Sequence, residues 1–355
     1  MPPRARVIAQ EEVVELDRLE GFPHPRETAH LAGHDAALGR AARAIRAGHP
    51  PQAWLITGPP GVGKATLAYR IARYLLAFGA TERGPEDLAV PERNGDAMQV
   101  AAGSHPGLLV LRRGISEKTG KPMTVVSVDE VRRLGPFFGL TSGAGGWRVV
   151  IVDTADDMNE NAANALLKLL EEPPSRAMLL LISNMPGRLL PTIRSRCQRL
   201  DLRPLDMPAL EKELARLLPD SDAGERAALA RLSGGSLGLA LHLSESDGVE
   251  LAREADRMID QAGRPDLAAV MSLGERIARI TDGLDGFASF LTQALADRIR
   301  ARARAGQPHL DRWVECLARL NESFERTIGL NLEPRQTLLG AAATLARTSR
   351  SAGSV

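Results

Sequence analysis

The sequence predicts an α/β protein: a phosphate-loop domain on a parallel sheet, then a small helical lid, then an all-α C-terminal domain. Three observations carry this. A glycine-rich turn lies between a short apolar strand and an amphipathic helix at residues 54–73. Further apolar runs at residues 108–111, 147–152 and 178–182 alternate with helical segments, and strands that are apolar throughout belong to a parallel sheet covered on both faces. Beyond Pro204 the strand pattern stops and helical periodicity takes over. The expected divisions are residues 1–205, 206–247 and 248–355.

A chain of 355 residues is long enough for two or three packed cores. Its formal net charge of +1 provides no global field toward nucleic acid or an anionic membrane. Cys197 and Cys316, far apart, supply neither a disulfide framework nor a zinc ligand set. The N-terminus lacks the apolar core of a secretory signal and no run reaches membrane-spanning length, so a soluble cytoplasmic protein with no membrane partner is expected.

Taken in order, residues 1–20 are charged and read as an extension, followed by a rigid turn at Pro23, His24, Pro25 and Arg26. A helix is expected over residues 35–46, with Asp35 as N-cap and Ala36, Leu38, Ala42 and Ile45 available to pack. Residues 54–56 form a buried strand, and the helix after the turn starts at Lys64 with Leu67, Ile71 and Leu75 on one face. Residues 79–107, rich in Gly, Pro, Glu and Asn, read as a loop or small insertion. Residues 124–128 read as extended before a helical segment at 129–134, and residues 143–146 as a turn. A helix over residues 159–172 is capped by Asn159 and stopped by Pro173 and Pro174. Two or three short helices, broken at Ser233, Gly234 and Gly235, precede a helical region to residue 348 and a disordered tail over 349–355.

The turn Gly58, Pro59, Pro60, Gly61, Val62, Gly63, Lys64 has the spacing Gly-x4-Gly-Lys. Between strand and helix this spacing makes a phosphate cradle: backbone N–H groups point inward, the helix N-terminus adds its positive end, and the lysine reaches over the terminal phosphates. A turn that merely joins strand to helix does not call for a lysine there, and lysine is scarce in this chain: only Lys118, Lys121, Lys168 and Lys212 accompany Lys64. The next position, where Ser or Thr would place a hydroxyl on Mg²⁺, is Ala65. Thr66 is one residue late and points about 100° away on a helix.

Hydrolysis on such a fold needs a metal held by the loop hydroxyl and by an acidic residue ending a second strand, together with a group that orients water. Asp153 ends the second strand, but the following position, where a carboxylate would polarise water, is Thr154. Asp156 and Asp157 read as carboxylates of the turn before the next helix. The run Arg298, Arg300, Arg302, Arg304 invites a nucleic-acid reading, but a spacing of two spreads these residues around a helix, ahead of Gly306 where the dipole favours cations.

Residues 161–174 read Asn-Ala-Ala-Asn-Ala-Leu-Leu-Lys-Leu-Leu-Glu-Glu-Pro-Pro and residues 192–197 read Thr-Ile-Arg-Ser-Arg-Cys. In these motifs the chain resembles the clamp-loader branch of the AAA+ family. The resemblance covers most of the chain and is weakest at residues 1–20 and 80–105. It implies that Arg196 of the Ser-Arg-Cys motif is an arginine finger acting in trans on nucleotide bound by the adjacent subunit, with Arg194 as the decoy. It places Ser183 or Asn184 at the position that senses the terminal phosphate, and Gly238 where a second sensing arginine usually stands. The family's motors carry Lys followed by Ser or Thr and an acidic pair at the second strand; the departures at Ala65 and Thr154 put this chain with its non-motor members. ATP or ADP is then expected to bind at Gly58–Thr66, Asp153, Ser183 and Asn184 without hydrolysis. Many such relatives carry a four-cysteine zinc module after the first helix; residues 79–107 hold no cysteine, and no zinc is expected.

The implied setting is a heteropentamer with gamma/tau motor subunits and a delta subunit within the DNA polymerase III holoenzyme, loading the sliding clamp at primer-template DNA. Two alternatives stay open. One is an active motor of the same machine, in which Thr66 or a water replaces Ala65; the other is a P-loop transferase such as a small-molecule kinase.

Overall fold

The computed structural model describes residues 18–19, 21–114, 123–139, 146–245, 248–280, 283–308, 310–330, 332–353 and 355. Contacts divide the chain into two compact units, one of residues 1–217 with Gly235–Leu239 and one of Leu218–Gly234 with Ala240–Val355.

The first unit is a five-stranded parallel sheet with helices on both faces. In chain order its elements are α1 (Asp35–Arg46), β1 (Ala53–Thr57), α2 (Lys64–Phe78), α3 (Gly95–Ala101), β2 (Leu108–Arg112), α4 (Val128–Arg132), α5 (Leu134–Gly139), β3 (Arg148–Asp153), α6 (Glu160–Glu171), β4 (Ala177–Ser183), α7 (Pro191–Arg196), β5 (Gln198–Asp201) and α8 (Met207–Leu217). The strand order is β2-β3-β4-β1-β5. In register, Leu55 faces Leu181 on β4 and Arg199 on β5, while Val150 of β3 faces Leu179 of β4. Alternation sends Trp54, Ile56, Leu180 and Ile182 into one core with α1 and α2, and Leu55, Val150, Leu179 and Leu181 into a second with α6. Each fully buried aliphatic side chain contributes about 1.5–3 kcal/mol, so the central strands are fixed from both sides.

Several boundaries differ from expectation. Asp35 is the first helical residue, preceded by His34, and its side chain caps nothing. Ala36 is exposed and Leu38 half-buried; the packed face is Ala37, Ala41, Ala42 and Ile45. The supposed loop at 79–107 contains α3, whose cap Asn94 accepts the N–H groups of Asp96 and Ala97 at 2.9 and 3.1 Å. Val126 makes a single bridge to Met158, and α4 begins at Val128 under the cap of Ser127. The edge strand β5 escapes the sequence pattern because Leu200 is its one buried side chain. The extension at 1–20 lies outside the described residues apart from residues 18–19, as does the turn at 143–146 apart from Gly146.

The second unit is helical: α9 (Ala223–Leu232), most of α10 (Leu237–Glu245), α11 (Gly248–Asp260), α12 (Leu267–Ile277), α13 (Gly283–Arg304), α14 (Leu310–Gly329) and α15 (Pro334–Ala352). Phe287 of α13 meets Phe324 of α14 edge to face, with ring centres 6.5 Å apart. The tail expected to be disordered continues α15 as far as Ala352, which is buried. Arg298 pairs with Asp256 at 3.0 Å and also with Asp260, which supports the structural reading of the arginine run.

Candidate nucleotide site and arginine motif

Strands β1, β3 and β4 are neighbours in the parallel sheet, so their C-terminal ends bring three sequence-distant segments to one edge, where ligands of open α/β sheets bind. The loop from Gly58 to Gly63 follows β1 and leads into α2. Gly61 and Gly63 hold φ of 72° and 102°, conformations costly for any residue with a Cβ. Lys64 opens α2, is 5% exposed, and donates to the carbonyls of Gly58 at 2.8 Å and Pro59 at 2.6 Å. Burial pushes its ammonium down to about 8, opposed by the charges of Asp153 and Asp156. A glycine loop at a helix N-terminus with its lysine folded over it fits a nucleotide's phosphates. Ala65, the next residue of α2, offers no hydroxyl to a metal.

Asp153 ends β3 and is half-buried. Ser183 ends β4, is fully buried, and donates its hydroxyl to Asp156 Oδ1 at 2.7 Å. The N–H groups of Asn184 and Met185 donate to Asp156 Oδ2, the latter at 3.1 Å. Asp156 is therefore more than a turn carboxylate: it fixes the segment expected to sense phosphate. Asp157 turns elsewhere, to Arg113 at 3.4 Å.

Two groups that had not stood out in the sequence, His34 and Thr57, bear on the loop or on the strand that leads into it, together with one segment that had, residues 235–239. His34 Nε2 lies 2.7 Å from the Val62 carbonyl. That oxygen can only accept, so the proton sits on Nε2. Burial lowers the pKa of this imidazole and favours the neutral donor. The hydroxyl of Thr57 donates to Asp201 and, with Arg199, holds that carboxyl below its ordinary range. Segment 235–239 lies on the loop: Ser236 Oγ donates to the Pro60 carbonyl at 2.9 Å, and the Gly238 N–H donates to the Gly61 carbonyl at 2.8 Å. A Cβ at Gly238 would stand 2.9 Å from the Gly61 Cα. The position where a second sensing arginine was sought is thus closed to any side chain unless the backbone moves.

Arg196 is the last residue of α7. It donates to the Thr192 carbonyl at 3.1 Å and to Glu171 Oε1 at 2.8 Å, so the two motifs at 161–174 and 192–197 meet through this ion pair. Arg194 is exposed, and its side chain makes no hydrogen bond or ion pair among the described residues. Burial pushes the Cys197 thiol up to about 12, far from a thiolate nucleophile at neutral pH. Among the described residues no group of His, Cys, Asp and Glu is placed to hold a metal, and no helix is long and apolar enough to cross a membrane.

A family model described as DNA polymerase III, delta subunit, matches residues 33–206. The DNA polymerase III subunit delta' of Pseudomonas aeruginosa is 45% identical over 185 residues, covering 52% of this chain and 53% of the relative. The subunit delta' of Escherichia coli is 36% identical over 209 residues, covering 59% of each. The E. coli DNA polymerase III subunit tau is 28% identical over 270 residues, covering 71% of this chain and 39% of the relative. In the delta' matches the chain spans little more than half of each relative's length. Residues 33–206, which carry the phosphate loop, the sheet and the Ser-Arg-Cys motif, are thus similar to the delta-prime subunits of DNA polymerase III.

Proposed function

We propose that this chain is a non-hydrolysing stator of a heteropentameric clamp loader in the cytoplasm. It assembles with gamma/tau motor subunits and a delta subunit, and helps to load the sliding clamp at primer-template DNA. The observation that carries the reading is the division of the site: a formed phosphate loop closed by Lys64, with Ala65, Thr154 and Gly238 at the positions of metal hydroxyl, water-polarising carboxylate and second sensor. A missing general base alone lowers a rate by about 10²–10⁴. ATP or ADP would be held by the loop N–H groups and Lys64, with Asp153, Ser183 and Asn184 facing the terminal phosphate; bound there, the nucleotide supplies charge and rigidity, not turnover.

Arg196 is the group lent to a neighbour. The pair with Glu171 leaves the two side chains 36% and 51% exposed, and such pairs are worth about 0–1 kcal/mol. Exchanging Glu171 for a phosphate oxygen in trans therefore costs little, and the planar fork of donors suits that oxygen. The test is ATP hydrolysis by the reconstituted complex. Arg196→Ala is expected to assemble normally and lower turnover by about 10³ or more at the site it serves, while Arg194→Ala leaves turnover unchanged. The assignment fails if Arg196→Ala has no effect, or if Arg194→Ala produces the loss instead.

A further inference from the structure

The sheet of the first unit ends at β2, and among the described residues no strand pairs with its outer edge. A cavity of about 420 Å³ lies beside it, lined by Leu108, Leu109, Val110 and Arg112 of β2 itself. Successive side chains of a strand point to opposite faces. Leu108 and Val110 pack with the core on the α2 side and Leu109 with the core on the α6 side. A cavity touching all three therefore lies in the plane of the sheet, at its open edge, and over neither face. Its two walls come from the segment around α3 and from the α4 region.

The backbone faces this slot in a defined way. Gly107 accepts the Val149 N–H, so its peptide group points to β3. Alternation then directs Leu109 and Leu111 toward β3 and the N–H and C=O of Val110 toward the slot. Charge adds direction: Arg26, Arg112, Arg113 and Arg133 line the cavity against one carboxylate, Glu130. Glu130 pairs with Arg133 at 2.6 Å, and Arg113 with Asp157 at 3.4 Å. Both are partly exposed pairs that an incoming carboxylate can replace at small cost.

We infer that this slot receives an extended acidic segment of a partner protein, which adds to the sheet as a further strand beside β2 and sets its carboxylates against the surrounding arginines. Apolar side chains at the strand edge accept the alternate positions of such a segment. A phosphodiester chain cannot continue the main-chain ladder, so a peptide suits the slot better than nucleic acid.

The experiment uses the full chain and a labelled, end-blocked peptide of alternating glutamate and valine, read by fluorescence anisotropy and by amide exchange. The peptide should bind, its lysine-for-glutamate counterpart should not, and binding should protect the Val110 amide. Arg133→Glu, at an exposed position, should weaken binding by roughly tenfold or more as attraction becomes repulsion. Val110→Pro removes the donated N–H and should abolish binding. The inference is overturned if the two peptides bind alike or not at all, or if the Val110 amide stays unprotected. Tight binding of inorganic phosphate or a short oligonucleotide without binding of the glutamate peptide would equally overturn it. Loss of the clamp-loader role through Arg196 would leave these outcomes untouched.

Discussion

At the scale of single residues, Lys64 links fold and chemistry most directly. Its ammonium titrates at about 8 in the folded chain against an ordinary value of 10.5. Between those values the unfolded chain binds more protons, so the cost of burying the charge is present in full below about pH 8. It is relieved as pH rises toward 10.5, and this group's contribution to stability grows with pH through that window. Phosphate binding runs in the opposite sense, since it needs the charged form. Affinity for ADP, measured by calorimetry, should fall as pH is raised from about 7 to about 9, and Lys64→Met should lose both the affinity and the slope. A flat pH profile in the native chain would contradict the placement of Lys64 over the phosphates. The glycine spacing announced this lysine; its lowered titration comes from burial in the fold, and Asp153 and Asp156, brought up from another strand and turn, oppose the shift without cancelling it.

At the scale of elements, α6 is a helix whose start, stop and buried face are all written locally. Asn159 accepts the Ala162 N–H at 2.9 Å, Leu166 and Leu170 are buried, and Pro173 follows the last turn. Asn159→Ala should lower the unfolding free energy by about 1 kcal/mol, read from a denaturant midpoint shift at unchanged slope. No shift would mean that other contacts hold the helix start. Elements with such local signals (α2, β3, α6 and β4) were legible within a residue or two. The helix α3 was hidden by a Gly- and Pro-rich neighbourhood, although Asn94 marked its start. The strand β5 was hidden because its place in the sheet comes from pairing with β1, not from an apolar run. The buried arginines of α2 read as charged positions in the sequence. In the fold Arg70 binds the Ala29 carbonyl at 2.9 Å and Arg73 the Arg26 carbonyl at 2.7 Å, anchoring the segment that precedes α1.

For the molecule as a whole, the proposal is that a complete cradle coexists with an incomplete catalytic set. The isolated chain should release no phosphate from ATP above background. Ala65→Ser should remain inactive, since Thr154 and Gly238 still leave water and terminal phosphate unattended. Phosphate release by the native chain that Lys64→Ala abolishes would make it a motor and reverse the proposal. The helical second unit has surfaces that are not encoded in periodicity. In sequence it showed only that helices follow one another.

The sequence by itself determined the fold class, the phosphate loop and the family resemblance, because each is encoded in short-range spacing: glycines where φ must be positive, apolar runs where strands are covered twice, and two motifs dense enough to be specific. Tertiary structure decided what those residues touch. Only packing could place Gly238 against Gly61, join Asp156 to Ser183, tie Arg196 to Glu171, and gather arginines along the outer edge of β2. Each of these joins residues distant in the chain, and such pairings arise from the way the sheet orders its strands, not from any local pattern.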